Sequence, residues 1–176
     1  MAVSCALTQD LTFSCDVGSG GISKEIYVIE LNNLNATTPY TESSGTITAI
    51  TKLAGKIFRK YQLVQETASF DEGIAGNIQN GTNFYDQKGV IVFNKQTVAK
   101  RNEIMILART PVVIVAQDNN GSWKLYGRVN GMRLLDGSIN TGTAFTDRNG
   151  YTLNFSVKEA EPAPFVDATV IATLQV

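Results

Sequence analysis

The chain has 176 residues, 43% of them hydrophobic and 18% charged, and its 15 basic and 16 acidic residues leave a formal net charge of -1. That length suits one domain with a sizeable core, and that balance excludes a molecule-wide basic field drawing the chain to nucleic acid. Histidine is absent, which excludes every catalytic dyad or triad built on imidazole, and the two cysteines cannot by themselves form a four-ligand structural zinc site.

The start of the chain carries Asp10 and no basic segment, so it does not read as a secretory signal. No apolar run approaches the ~20 residues of a membrane helix, and the expected place of folding is a cytoplasm. Cys5 and Cys15 are too few for a disulfide scaffold. They read as one disulfide closing a short loop or as two free thiols, with free thiols favoured. Residues 1–22 are rich in Ser, Gly and Thr and end in Gly18-Ser19-Gly20-Gly21. That composition predicts a flexible arm ahead of a single domain over 23–176.

Strand signals follow. Glu25 to Leu31 alternates Tyr27, Ile29 and Leu31 with Ile26 and Val28. Residues 32–44 are polar, contain Pro39 and read as a loop. Thr46 to Ile50 alternates threonine with Ile47 and Ala49. Lys56 to Val64 alternates as well, with Ile57, Tyr61 and Leu63 on one face. Residues 66–87 are polar and punctuated by glycine, with Phe70, Ile74, Ile78, Phe84 and Tyr85 widely spaced. They predict an extended loop or projecting hairpin turning at Asn80-Gly81. Gly89 to Phe93 reads as a buried strand.

Residues 96–108 are the one helix candidate. Thr97 can cap it, Pro111 stops it, and Val98, Ile104, Met105, Leu107 and Ala108 recur at helical spacing as an apolar stripe. Lys100 and Arg101 occupy its other face, with Lys95 nearby. Next come two strands, Pro111 to Ala116 and Trp123 to Val129, joined by Asp118-Asn119-Asn120-Gly121. Trp123, Leu125, Gly127 and Val129 are expected inward and Lys124, Tyr126 and Arg128 outward. Asp136-Gly137 and Asn149-Gly150 read as turns. Tyr151, Leu153, Phe155 and Val157 alternate with Thr152, Asn154, Ser156 and Lys158, the pattern of a half-buried strand. Glu161-Pro162-Ala163-Pro164 ends it, and Ala168, Val170, Ala172 and Leu174 predict a last strand. The sum is a mainly β fold: a β-sandwich or barrel of about eight or nine strands with one flanking α-helix.

Motifs that invite chemistry have plainer readings. Gly18-Ser19-Gly20-Gly21 lacks the Lys-Ser/Thr pair of a phosphate loop. Asp118 to Gly121 lacks the later ligands and closing glutamate of a calcium loop. Four Asn-X-Ser/Thr triplets have no secretory route to use them. Asp71-Glu72 and Glu159/Glu161 could be paired carboxylates, but read as solvated loop charges. No catalytic residue, cofactor or metal ion is expected.

Several stretches together resemble a family of virion proteins from phages of Bacteroidetes-type hosts, including crAss-like phages. They are Gly20-Gly21-Ile22 with Lys24-Glu25-Ile26-Tyr27, Lys60-Tyr61, Glu66-Thr67-Ala68-Ser69-Phe70, Asn80-Gly81-Thr82 with Phe84-Tyr85, and Lys100-Arg101-Asn102-Glu103. They continue through Asp118-Asn119-Asn120-Gly121 before Trp123, Thr141-Gly142-Thr143, Gly150-Tyr151-Thr152-Leu153 and Glu161-Pro162-Ala163-Pro164. The layout is similar to that of major tail tube proteins.

The resemblance implies a structural subunit with no enzymatic activity, acting within a virion assembled in the host cytoplasm. It implies six copies in a ring with a continuous inner β-surface, and rings stacked through a long loop and a terminal arm. Self and other virion proteins are the implied partners, with DNA only in transit through a lumen and no membrane. Residues 66–87 are then the stacking loop, and Phe70, Ile74, Ile78, Phe84, Tyr85, Lys100 and Arg101 are candidate inter-subunit contacts. The lumen of such tubes is usually acidic, whereas here Thr152, Asn154 and Ser156 would line it. A capsid-decorating or head–tail ring protein would use the same sandwich. A glycan- or receptor-binding module would instead use exposed Tyr40, Tyr85 and Tyr126.

Overall fold

The computed structural model describes residues 9–11, 17–77 and 79–176. Cys5, Cys15, Ile78 and most of the expected arm lie outside them. Among the described residues, eleven strands form two sheets of seven and four, accompanied by two α-helices. The sheets are open and do not close into a barrel, so mainly β is right while eight or nine strands was an undercount.

The larger sheet is built on β1 (Ile22–Glu30), β7 (Val112–Asp118) and β8 (Trp123–Tyr126). β2 (Tyr40–Ser43), β3 (Thr46–Ile50) and β11 (Phe165–Val166) extend it on one side, and β4 (Arg59–Gln62) closes the other. The order is β2-β3-β11-β8-β7-β1-β4. Its central strands carry unbroken apolar runs, Ile26–Ile29 in β1 and Val112–Ala116 in β7, because both faces are covered there. Ile26, Val28, Val112, Ile114, Ala116 and Tyr126 enter the core between the sheets. Tyr27, Ile29, Val113, Val115, Trp123 and Leu125 enter a second core on the far face, with Ile47, Phe58, Val170 and Leu174. This second core corrects the expectation that Tyr126 faces outward: each face of β8 has its own core.

The smaller sheet has the order β5-β6-β10-β9, from β5 (Ser69–Asn77), β6 (Thr82–Asn94), β10 (Gly150–Glu159) and β9 (Arg133–Asn140). Every neighbouring pair is antiparallel. Tyr151, Leu153, Phe155 and Val157 of β10 are buried against the first core, as their alternation predicts.

Other local expectations are revised. Tyr40–Ser43, expected in a loop, pairs with β3 across Ser44-Gly45, both with positive φ (50° and 77°), the geometry of a two-residue hairpin. Asp136-Gly137 is no turn. It lies inside β9 beside a bulge that skips Leu135, and a Cβ on Gly137 would stand 2.6 Å from the Thr152 carbonyl. The expected last strand is α2 (Ala168–Ile171), started by Asp167, whose carboxylate accepts the Thr169 N–H at 2.8 Å. Val170 and Leu174, four apart, fill the second core from this helical segment. Ile22, counted in the arm by composition, opens β1. Ser19, Gly20 and Gly21 are bound to Asn119 and Asn120 of the β7–β8 turn.

The helix α1 (Val98–Leu107) is capped by Thr97, whose hydroxyl accepts the Lys100 N–H at 3.3 Å. Its apolar stripe is only partly used. Leu107 is buried and Ile104 packs on the core, whereas Val98, Met105 and Ala108 face solvent. The helix meets the core through Ile104 and Leu107. Among the described residues no helix is long and apolar enough to cross a membrane.

Candidate assembly surfaces

The smaller sheet leaves its backbone unfinished on two sides. β5 and β9 are its edges, nine and eight residues long. Nearly all of β9 is solvent-exposed, including Leu135 (70%) and Ile139 (62%), and β5 exposes Ile74 (73%). A long edge with exposed aliphatics and no proline is a template for pairing with another strand. Three successive antiparallel pairings make β5 and β9 run in opposite directions. A copy placed alongside by rotation about an axis parallel to the strands therefore sets its β5 antiparallel to this β9. The ladder then continues without a break.

The open face of this sheet carries polar groups of both signs, with Val90 and buried Val92 among them on β6. The pairing register places Asp71, Lys88 and Ser156 in one row across it, Asp86 with Lys158 in another, and Asp136 with Asn154 in a third. Lys88 and Asp86 form an ion pair at 3.0 Å, and Asn154 donates to Asp136 at 3.3 Å. Charge is locally neutralised, so the face is hydrophilic without a strong field.

Residues 66–87 are a hairpin, but most of it belongs to the sheet. β10 accompanies β6 only as far as Tyr85, which pairs with Glu159. Only Ala75–Asn77 and Thr82–Phe84 stand beyond, a two-stranded ribbon reaching about 10 Å at the usual rise per residue. Its root is fixed by a buried polar network. Gln87 donates to Glu72 Oε1 at 2.9 Å and accepts the Gly127 N–H at 3.0 Å. Glu72 Oε1 also accepts the Ala163 N–H at 2.8 Å. Glu159, 4% exposed, accepts the N–H groups of Val129 and Asn130 at 3.0 and 2.8 Å. Glu72 and Glu159 are thus not solvated loop charges. Glu159 satisfies backbone donors of the segment after β8, and Glu72 satisfies Ala163 after β10 and holds Gln87, which accepts from Gly127, so the larger sheet is tied to the hairpin root.

The expected contact residues divide accordingly. Ile74 is exposed on the hairpin, and Phe84 and Tyr85 are half-buried, with Lys158 Nζ 5.1 Å from the Phe84 ring centroid. Phe70 is half-buried. It stacks on buried Tyr126 with centroids 4.6 Å apart and fills the space left by Gly89, where a Cβ would meet its ring at 2.5 Å. Lys100 turns back to the carbonyls of Asn94 and Lys95, while Arg101 is exposed. Ile78 lies outside the described residues. Leu135 and Ile139 escaped sequence reasoning because Asp136-Gly137 masked their strand. The tyrosines of the glycan reading do not form one surface: Tyr126 is buried, its phenol pushed up to about 12 by burial and the nearby carboxylates of Glu72, Asp118 and Asp71, and Tyr40 is bonded to the Arg128 carbonyl.

A cleft of about 490 Å³ opens beside α1, lined by Tyr61, Val64, Val92, Phe93, Ile104 and Leu107. Several of its polar groups are engaged, Lys60 with Glu25 and Lys100 with the carbonyls of Asn94 and Lys95. The Tyr61 hydroxyl donates to Glu103 at 2.7 Å, and burial followed by that bond holds the phenol above its ordinary range. Among the described residues no three Cys, Asp or Glu side chains converge as metal ligands would. Comparison of the chain with family models, with curated proteins and with solved structures gave no match.

Proposed function

We propose that this chain is a structural subunit that builds rings by strand-edge pairing, and that it serves a bacteriophage virion as a tail tube protein of stacked hexameric rings. One observation carries the self-association: a four-stranded antiparallel sheet whose two edges are open, oppositely directed and dressed with Ile74 on one side and Leu135 and Ile139 on the other. An even strand count lets the same rotation repeat with antiparallel pairing at every joint. The polar open face then lines a lumen through which DNA slides without a sticky field, and the hairpin ribbon reaches toward the next ring. The virion setting and the sixfold count come from the resemblance of the sequence stretches. In this reading the chain performs no reaction and needs no cofactor.

Electron microscopy of the purified protein tests the proposal. Sixfold rings or tubes are the expected result. A protein that stays monomeric at high concentration overturns the self-association, and a location on an icosahedral shell in virions overturns the tail role.

A further inference from the structure

Four asparagines in this chain precede a glycine: Asn80, Asn120, Asn130 and Asn149. Each such pair can react with itself. The amide nitrogen of the glycine gives its proton to hydroxide and attacks the asparagine Cγ. Ammonia leaves, completing its protons from water, and a cyclic imide forms. Water then opens the ring at either carbonyl, giving aspartate or isoaspartate, so the net change is one water consumed and one ammonia released. The attack needs a free glycine N–H, a free side-chain amide and a backbone able to rotate.

The structure withholds these conditions from three of the pairs. Asn120 is bound on both side-chain atoms, Oδ1 accepting from Ser19 N at 2.7 Å and Nδ2 donating to the Ser19 carbonyl at 3.0 Å, and Gly121 N–H donates to Asp118 at 3.1 Å. Asn130 Nδ2 donates to the Lys158 carbonyl at 2.8 Å, and Gly131 is buried against Pro111. Asn149 Oδ1 accepts the Gln96 N–H at 3.2 Å, and Gly150 is buried in β10, where a Cβ would meet the Phe93 carbonyl.

Asn80 and Gly81 differ on each count. Both are exposed at the hairpin turn. Neither the Asn80 side chain nor the Gly81 N–H makes a hydrogen bond among the described residues. Gly81 has φ 63° and nothing within 4 Å of where a Cβ would stand, so no neighbour obstructs ring closure. We infer that Asn80–Gly81 is a self-modifying site, converting by way of a cyclic imide to aspartate and isoaspartate while the other three pairs stay intact. The product adds a negative charge and, as isoaspartate, one extra backbone carbon to the tip of the ribbon. Where that ribbon contacts a neighbouring ring, as proposed above, unassembled protein loses the contact as it ages.

Peptide mapping by mass spectrometry tests the site. The intact folded protein is held in mildly alkaline buffer at physiological temperature and sampled over days. Residue 80 is expected to gain one dalton and an isoaspartate linkage faster than residues 120, 130 and 149, in keeping with an exposed turn whose Asn80 side chain makes no hydrogen bond among the described residues. Asn80→Gln, which keeps the amide but closes a larger ring, abolishes the product there, and Gly81→Ala slows it by restricting the backbone. Equal rates at all four asparagines, or an unchanged rate in Gly81→Ala, overturn the inference. This readout is independent of assembly, so rings without modification at residue 80 sink the inference and leave the proposed function standing.

Discussion

The larger sheet is covered on both faces, whereas the smaller one is covered on one face and left open at both edges. β7 shows the first condition: Val112, Val113, Ile114, Val115 and Ala116 are all buried, alternate residues feeding two different cores. β9 shows the second: of its eight residues only Leu134 is even half-buried. The first region supplies the stability of the monomer. The second retains backbone groups and aliphatic side chains with no partner among the described residues. If copies join at those edges, as proposed, stability and association are assigned to different sheets, and each can be altered alone.

The largest expected effect lies in the second core. Phe58 is fully buried, and its N–H donates to the Leu174 carbonyl at 2.9 Å. Phe58→Ala should destabilise the fold by about 3–5 kcal/mol, through lost transfer energy and an unfilled cavity. Ser156→Ala, on the open face, should stay within about 0.5 kcal/mol. Urea unfolding of both variants checks the contrast; similar losses for the two would break it.

The joint between the sheets comes next. Glu159→Ala removes the acceptor of two part-buried N–H groups, those of Val129 and Asn130, at about 1 kcal/mol for each lost hydrogen bond. Glu159→Gln keeps one oxygen able to accept both, so its loss should be clearly smaller. If the two variants are equally unstable in the same unfolding measurement, the carboxylate matters for its charge and not as an acceptor.

Legibility in the sequence follows the same division. The β7–β8 hairpin, β10 and α1 were readable because their signals are local: a turn tetrapeptide, strict alternation, a capping threonine. The edges were less so. β9 carries a bulge at Leu135 and a glycine that answers to the Thr152 backbone, a partner 15 positions downstream in sequence, so its Asp-Gly pair imitates a turn. Tyr40–Ser43 becomes a strand because β3 is there to pair with it. Phe70 looked like a surface aromatic until Tyr126 and Gly89 supplied its pocket. At the C-terminus, Val170 and Leu174 satisfy alternation and helical spacing alike. Asp167 settles the matter, and its cap was the cue to weigh.

The smallest effect on stability should accompany the largest effect on assembly, and this sharpens the comparison most. Ile139 is 62% exposed on β9 and sits opposite Tyr151, so in the monomer it covers only the margin of the core. Ile139→Lys places a charge on an open edge, the device by which natural sheets prevent edge pairing. Thermal unfolding at low concentration should move by no more than about 0.5 kcal/mol. Sedimentation at high concentration should show rings or tubes replaced by monomer. The same substitution at Arg101, an exposed residue of α1 already cationic, should leave assembly intact and serves as the control. Should Ile139→Lys assemble as well as the parent, the edge is not the joint. The hairpin ribbon would then have to hold copies together, although it carries only three residue pairs beyond the sheet. A contact that small has little backbone to offer, and this is why the edge variant discriminates more sharply than any change at the tip.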